Sequence, residues 1–373
     1  MGCCPVRRAL VVGLGAILGT GAIEAQAPTP LRRANTRGLE SSLMAPRSVA
    51  VGHDGRVFVG DEEPARVVEF DSMGRFVRQI GREGSGPGEF RSPIVGAGRT
   101  LVVNDPQLSR LSAFDSRGAL LWTRPGACCR GHPVHVDRRG RIFVLAAPLT
   151  IGGVVADSEA TVVFSPDGHP TDTLWVPGLG GRAQAKSVVT EKYAFSVRVP
   201  FVSGYHHAIT DAGGVVFGES GSPELVAIGP DGRRRRTPMP WVSRALTTAA
   251  RQAARAAAVE DLVKLVDRSV LEGAIALSDV PNRAPHFFGL RVDRCGRYWV
   301  LRTSAAMGGL GTTFDVVVPG AKPITLQLED PLLEPGPRWA VGDAVVAAIV
   351  DDPDGPSLAV YQLPRSLRCT PGH

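Results

Sequence analysis

The side chains best suited to chemistry in this 373-residue chain are histidines and arginines that recur at one place in a repeated pattern. His132, His206 and His286 sit before apolar runs in three consecutive repeats, and His207 adjoins the second of them. Three neutral imidazoles brought together suit Zn²⁺ or another borderline ion, with one position open to water or substrate. Arg47, Arg91 and Arg338 precede the matching runs of the other repeats, and a ring of guanidinium groups suits a carboxylate or another anion. Oxygen donors fall on the same side of the pattern: Asp61-Glu62-Glu63, Asn104-Asp105, Glu219 and the string Asp351-Asp352-Pro353-Asp354-Gly355. Loop oxygens suit Ca²⁺, but that last string lacks the spaced ligands of an EF-hand loop. No GxSxG elbow, HExxH helix or Walker A string is present. Ordinary loop residues that hydrogen-bond the next repeat are the simpler reading of the same side chains.

What must position these residues is a unit of four short apolar runs, most complete in Arg47–Phe90. Val49–Val51 and Val57–Val59 flank the turn signal His53-Asp54-Gly55. Ala65–Phe70 and Arg75–Ile80 flank Asp71-Ser72-Met73-Gly74. Four strands in a repeat of roughly 40–50 residues are the mark of a β-propeller blade. Further units run over Arg91–Arg124, His132–Val176, Tyr205–Trp241, His286–Leu328 and Arg338–Leu363. The expected fold is therefore all-β, a six-bladed β-propeller of four-stranded antiparallel blades. The last unit stops after three strands while Leu31–Leu43 is left over at the other end. Pairing of the two ends in one blade would close the ring and remove its sheet edges.

Between the fourth and fifth units the period changes. Leu246, Ala249, Ala250, Leu262, Leu265 and Val266 follow a 3.6-residue spacing in a segment rich in helix formers, which predicts a helical insertion over about 242–276. A connection from an outer strand to the next inner strand crosses the face where a propeller channel opens, so the insertion is placed to cap that face.

The linker Arg82–Phe90, REGSGPGEF, resembles the Gly-rich inter-blade string of NHL-repeat and related six-bladed propellers. The likeness is strongest over the first blade; the Asn-rich stretch of that family is not kept, and Asn104-Asp105 is a partial echo of it. The resemblance implies the fold and allows scaffolds, lyases and lactonases alike. NHL-type amidating lyases place propeller histidines around zinc, which would map onto His132, His206 and His286. Senescence-marker and gluconolactonase propellers hold a divalent ion with Asn, Asp and Glu. This chain has only Asn35, Asn104 and Asn282 to offer.

Residues 1–27 read as a signal peptide: Arg7 and Arg8, an uncharged run over Ala9–Ile23, then the small-x-small Ala25-Gln26-Ala27. The run is too short for a membrane span. The expected division is a signal peptide at 1–27, the propeller at 28–366 and a tail at 367–373, with the mature chain a monomer exported to the periplasm or beyond. Cys128, Cys129, Cys295 and Cys369 then meet an oxidising environment, with three full connectivities open. Neighbouring cysteines bridge only through a strained ring. The preferred pattern is that vicinal bridge plus Cys295–Cys369 tethering the tail, against cysteines that are free or otherwise paired. Only four of the 42 basic residues are Lys, so the net charge of +6 reads as a bias toward Arg spread along the chain. Arg233–Arg236 reads as a charge-protected edge strand, and nucleic acid is not an expected partner. The functional expectation is a binding scaffold for a protein, peptide or glycan at the channel face, with no cofactor. The alternative is a metal-dependent lyase or hydrolase using Zn²⁺ or Ca²⁺ there.

Overall fold

The computed structural model describes residues 28–34, 43–125, 134–145, 150–151, 154–155, 158–177, 185–189, 194–260, 263, 266–303, 312–330, 338–352 and 355–369. The chain is a six-bladed β-propeller. Blade one pairs Pro46–Val51, Val57–Glu62, Ala65–Phe70 and Phe76–Ile80 in sequence order, each antiparallel to the next. The inner strands of the following blades are Ile94–Ala97, His135–Val136, Tyr205–Ile209, Gly289–Val292 and Trp339–Val341.

The reason the strands read as unbroken apolar runs is that each blade is buried on both faces. Side chains alternate across a strand, and in blade one Val57 and Val59 join blade six's Val345, Ala347 and Ile349. Phe58, between them, joins Val95, Leu101 and Val103 of blade two. Six separate hydrophobic clusters result, one at each blade interface, including the closing interface between blades six and one.

One turn recurs through the structure. In Asp71–Arg75 the Asp71 carboxylate accepts the amides of Met73 and Arg75, while Gly74 lies at φ +77°. Asp293–Arg297 has the same form, with Gly296 at φ +74°. A residue with a Cβ is strained in that left-handed region, so the fourth position of these turns favours glycine. This chemistry sets the spacing by which the blades can be counted.

The N-terminal segment touches two blades. Thr29–Leu31 adds to blade five as a fifth strand, parallel to Ile324–Leu328. The chain then reaches blade six, which has three strands of its own, through a single bridge from Arg33 to Tyr361. The Arg33 guanidinium makes two bonds to Asp352, at 3.0 and 3.2 Å, and both side chains are almost fully buried. Among the described residues, the Arg33 guanidinium, the Arg33–Tyr361 bridge and the Ala34 amide on the Val360 carbonyl at 2.7 Å join the N-terminal segment to blade six.

The insertion forms two helices rather than one, α1 (Thr248–Glu260) and α2 (Arg268–Ala274). The carbonyl of Asp267 accepts the amides of Val270 and Leu271 and starts the second. Arg251 and Arg255 of α1 donate to carbonyls at Leu277, Val280, Glu272 and Ile275, which clamps the pair. Their buried Ala254, Val259, Leu271 and Ile275 share a cluster with Phe288, Leu301 and Leu328 of blade five. Arg234–Pro238 is the exposed outer strand of blade four, with Arg236 paired to Glu224 at 3.0 Å.

Candidate functional site

Every inner strand starts at a linker from the preceding blade and ends in a tight turn to its neighbour. The channel therefore has a linker end and a turn end. Sequence reasoning placed its His and Arg candidates at the linker end, and the described ones lie there in different settings.

Arg47 is the second residue of its inner strand, with a half-exposed side chain 3.4 Å from Glu62. Arg91 is exposed, and its amide donates to Asp105 at 2.6 Å. Arg338 directly precedes its strand and is partly buried. His206 and His207 lie within an inner strand rather than before it. Alternation sends them to opposite sides, so they cannot act as one pair on the channel. His206 packs against Phe287 of blade five with ring centroids 5.3 Å apart. His286 is buried, and its backbone is fixed on both sides. Its amide donates to Ser220 at 2.6 Å and its carbonyl accepts Arg302 at 2.6 Å. Arg302 is itself held by Asp315 at 2.7 Å and lies over the Trp241 ring, whose Nε1 donates to the same carboxylate. The Nδ1 atom of His286 is buried without a protein partner; burial, helped by Arg302 and Arg283, holds the imidazole below its ordinary value. His132 lies outside the described residues, as do Cys128 and Cys129, so the three-histidine set is not assembled among them.

The acidic residues of the linker end serve the backbone. Asp61 is fully buried, and its Oδ1 accepts the amide of Ala45 at 2.8 Å. Asp105 accepts four amides: Arg91 and Ser92 on Oδ2, Gln107 and Leu108 on Oδ1. Glu62 takes Arg47 and the Ser92 hydroxyl, and Asp352 takes Arg33 and Ser357. Buried carboxylates so used are linker clamps, and their acceptor capacity is filled. Among the described residues one metal-like group of donors appears, Asp293, Cys295 and Cys369, and its two sulfurs are bonded to each other. That disulfide, with Cα atoms 5.8 Å apart, ties the tail to the turn of blade five.

The turn end holds residues that sequence reasoning passed over. The second residue of each first turn is, from blade one to blade six, His53, Arg99, Arg138, Asp211, Arg294 and Asp343. They converge. Arg294 pairs with Asp343 and also acts electrostatically on Asp211 in blade four and His53 in blade one. The turns are packed closely enough that the His53 amide donates to Gly98 in the next blade at 3.1 Å. Burial raises the carboxyls of Asp211 and Asp343 above the usual range, against the pull of Arg294. Burial lowers His53, and Arg294 adds to that. His135 belongs here: it starts blade three's short inner strand and reaches the Thr210 backbone at blade four's turn. Burial holds its imidazole down at about 4. Aligning the repeats on the second turn residue, instead of on the residue before the inner strand, would have exposed this set.

The family DUF5128, described as a 6-bladed beta-propeller, matches residues 43–94, which are blade one and its outgoing linker. No curated protein sequence matches the chain. Among solved structures it is similar to a streptogramin B lyase, at 11% identity and a TM-score of 0.44, covering 90% of this chain and 97% of that one. A member of the DUF4221 family from Bacteroides vulgatus gives 13% and 0.48, covering 90% and 94%. A gluconolactonase from Xanthomonas campestris gives 14% and 0.41, covering 86% of each.

Proposed function

We propose that this propeller is an exported binding scaffold whose linker end engages an anionic peptide or glycan. One observation carries the reading: the buried carboxylates there are filled by backbone amides and by Arg33, while Arg91 is exposed and Arg47 is half-exposed beside Glu62. Guanidinium groups bind carboxylates in a fork and attract them over a Debye length of about 8–10 Å. The Cys295–Cys369 disulfide supports an oxidising compartment. Among the described residues no helix is long and apolar enough to cross a membrane. The test is titration with oligogalacturonate and with a poly-glutamate peptide. Binding should weaken with salt and fall at least about tenfold in Arg47→Ala/Arg91→Ala; salt-insensitive binding, or binding untouched by the double variant, would sink the reading.

A second reading is a metal-dependent lyase or hydrolase on His132, His206 and His286. The buried, unpartnered Nδ1 of His286 favours it. Its test is the metal content of protein purified without chelator, which must drop in His286→Ala.

A further inference from the structure

The turn end combines both signs of charge with buried acceptors that the protein leaves unused. Asp343 gives Oδ2 to Arg294, but its Oδ1 is buried without a protein donor. Nε2 of His135 is likewise buried and unpartnered. Burial keeps the ring uncharged beside the Thr210 backbone, so one of its nitrogens offers a lone pair. Asp211 adds a third acceptor, half-buried on blade four's turn and acted on electrostatically by Arg294, Asp137 and Arg138. An unmade hydrogen bond at a buried acceptor costs about 1–3 kcal/mol, so a group carrying several N–H donors would be held here. Arg99 and Arg138, both exposed, stand on the same ring of turns. A purely cationic ligand would meet three arginines, and a purely anionic one would meet Asp54, Asp211 and Asp343. A ligand with both charges a few bonds apart meets neither penalty.

We propose that the turn end of the channel is a binding site for a small zwitterion carrying a primary ammonium and a carboxylate, of which an α-amino acid is the simplest. Asp211, Asp343 and His135 receive the ammonium, and Arg99 and Arg138 receive the carboxylate. The site is separate from the linker end and does not depend on the function assigned there.

The test is saturation-transfer NMR on the oxidised, full mature chain, with a mixture of free amino acids as probes and methylamine and acetate as single-charge controls. Amino acids should bind at least about tenfold more tightly than either control, since each lost charge-assisted bond is worth that factor. Asp211→Asn and Asp343→Asn should each lose the signal, while Arg47→Ala at the far end keeps it. Arg138→Ala should bring amino acids down to the methylamine level and leave methylamine unchanged, a selective effect that general unfolding cannot imitate. No transfer from any amino acid, equal binding of methylamine and amino acids, or retention of binding in both Asn variants would overturn the proposal.

Discussion

Two carboxylates, one at each end of the channel, are used in opposite ways. At the linker end Asp105 has both oxygens occupied by four backbone amides, so its charge serves the path of the chain between blades. At the turn end Asp343 has one oxygen on an arginine and the other on nothing in the protein. Both are carboxylates near inner strands, and only the state of their acceptors separates them. A filled acceptor set marks a residue that holds the fold; an unfilled one marks a residue that can hold something else.

Four changes sharpen this contrast, in order of expected size. Replacing both disulfide cysteines, Cys295→Ser/Cys369→Ser, opens a link across 74 residues at the turn end. About 2–4 kcal/mol of stability should be lost in urea unfolding, together with amino-acid binding, while linker-end binding persists in the folded fraction. Gly342→Ala comes next. A Cβ there would sit 2.4 Å from Val51 Cγ1 and 3.2 Å from its Cβ, a contact between blades six and one. Overpacking of this kind should cost about 1–3 kcal/mol, read as a lower urea midpoint.

A pH series tests the buried histidine. His135 sits at about 4 when folded against an ordinary 6.5, so between those values the unfolded chain binds the extra proton. Stability should be complete above pH 6.5 and fall as pH drops towards 4. His53 and His286, also lowered, act in the same direction. The raised carboxyls of Asp211 and Asp343 favour the folded state on acidification and partly offset the loss. In His135→Gln the slope over that window should be shallower; an unchanged slope would remove His135 from the account. The smallest effect belongs to Arg47→Ala, which breaks a partly solvated pair and should cost under about 0.5 kcal/mol while lowering affinity for the anionic probes.

The blades were legible in the sequence because two local signals agree. Val57-Phe58-Val59 must bury both faces, and Asp71-Ser72-Met73-Gly74 can turn only one way. The outer-edge role of Arg234–Pro238 followed from its charge alone. The division of the insertion into α1 and α2 did not, because the 3.6-residue period runs across the break. Nor did the parallel seat of Thr29–Leu31 on blade five, which depends on where the ring happens to close. The turn-end site stayed hidden for a different reason. His53-Asp54-Gly55 and Asp211-Ala212-Gly213 read as ordinary solvated turns, and only the circular arrangement of six blades brings their second residues together. His206-His207 misled in the reverse sense, since adjacency in a strand separates side chains rather than pairing them.

The contrast between the two ends is tested most directly by urea unfolding of Asp105→Asn beside Asp343→Asn, the same chemical change at each. An amide at position 105 sets an NH₂ against backbone N–H groups that need an acceptor, and about 2–4 kcal/mol should be lost. An amide at position 343 gives up one half-exposed ion pair and should cost under about 1 kcal/mol. Equal losses, or a larger one at Asp343, would contradict the assignment of the linker-end carboxylates to the fold and the turn-end ones to a ligand.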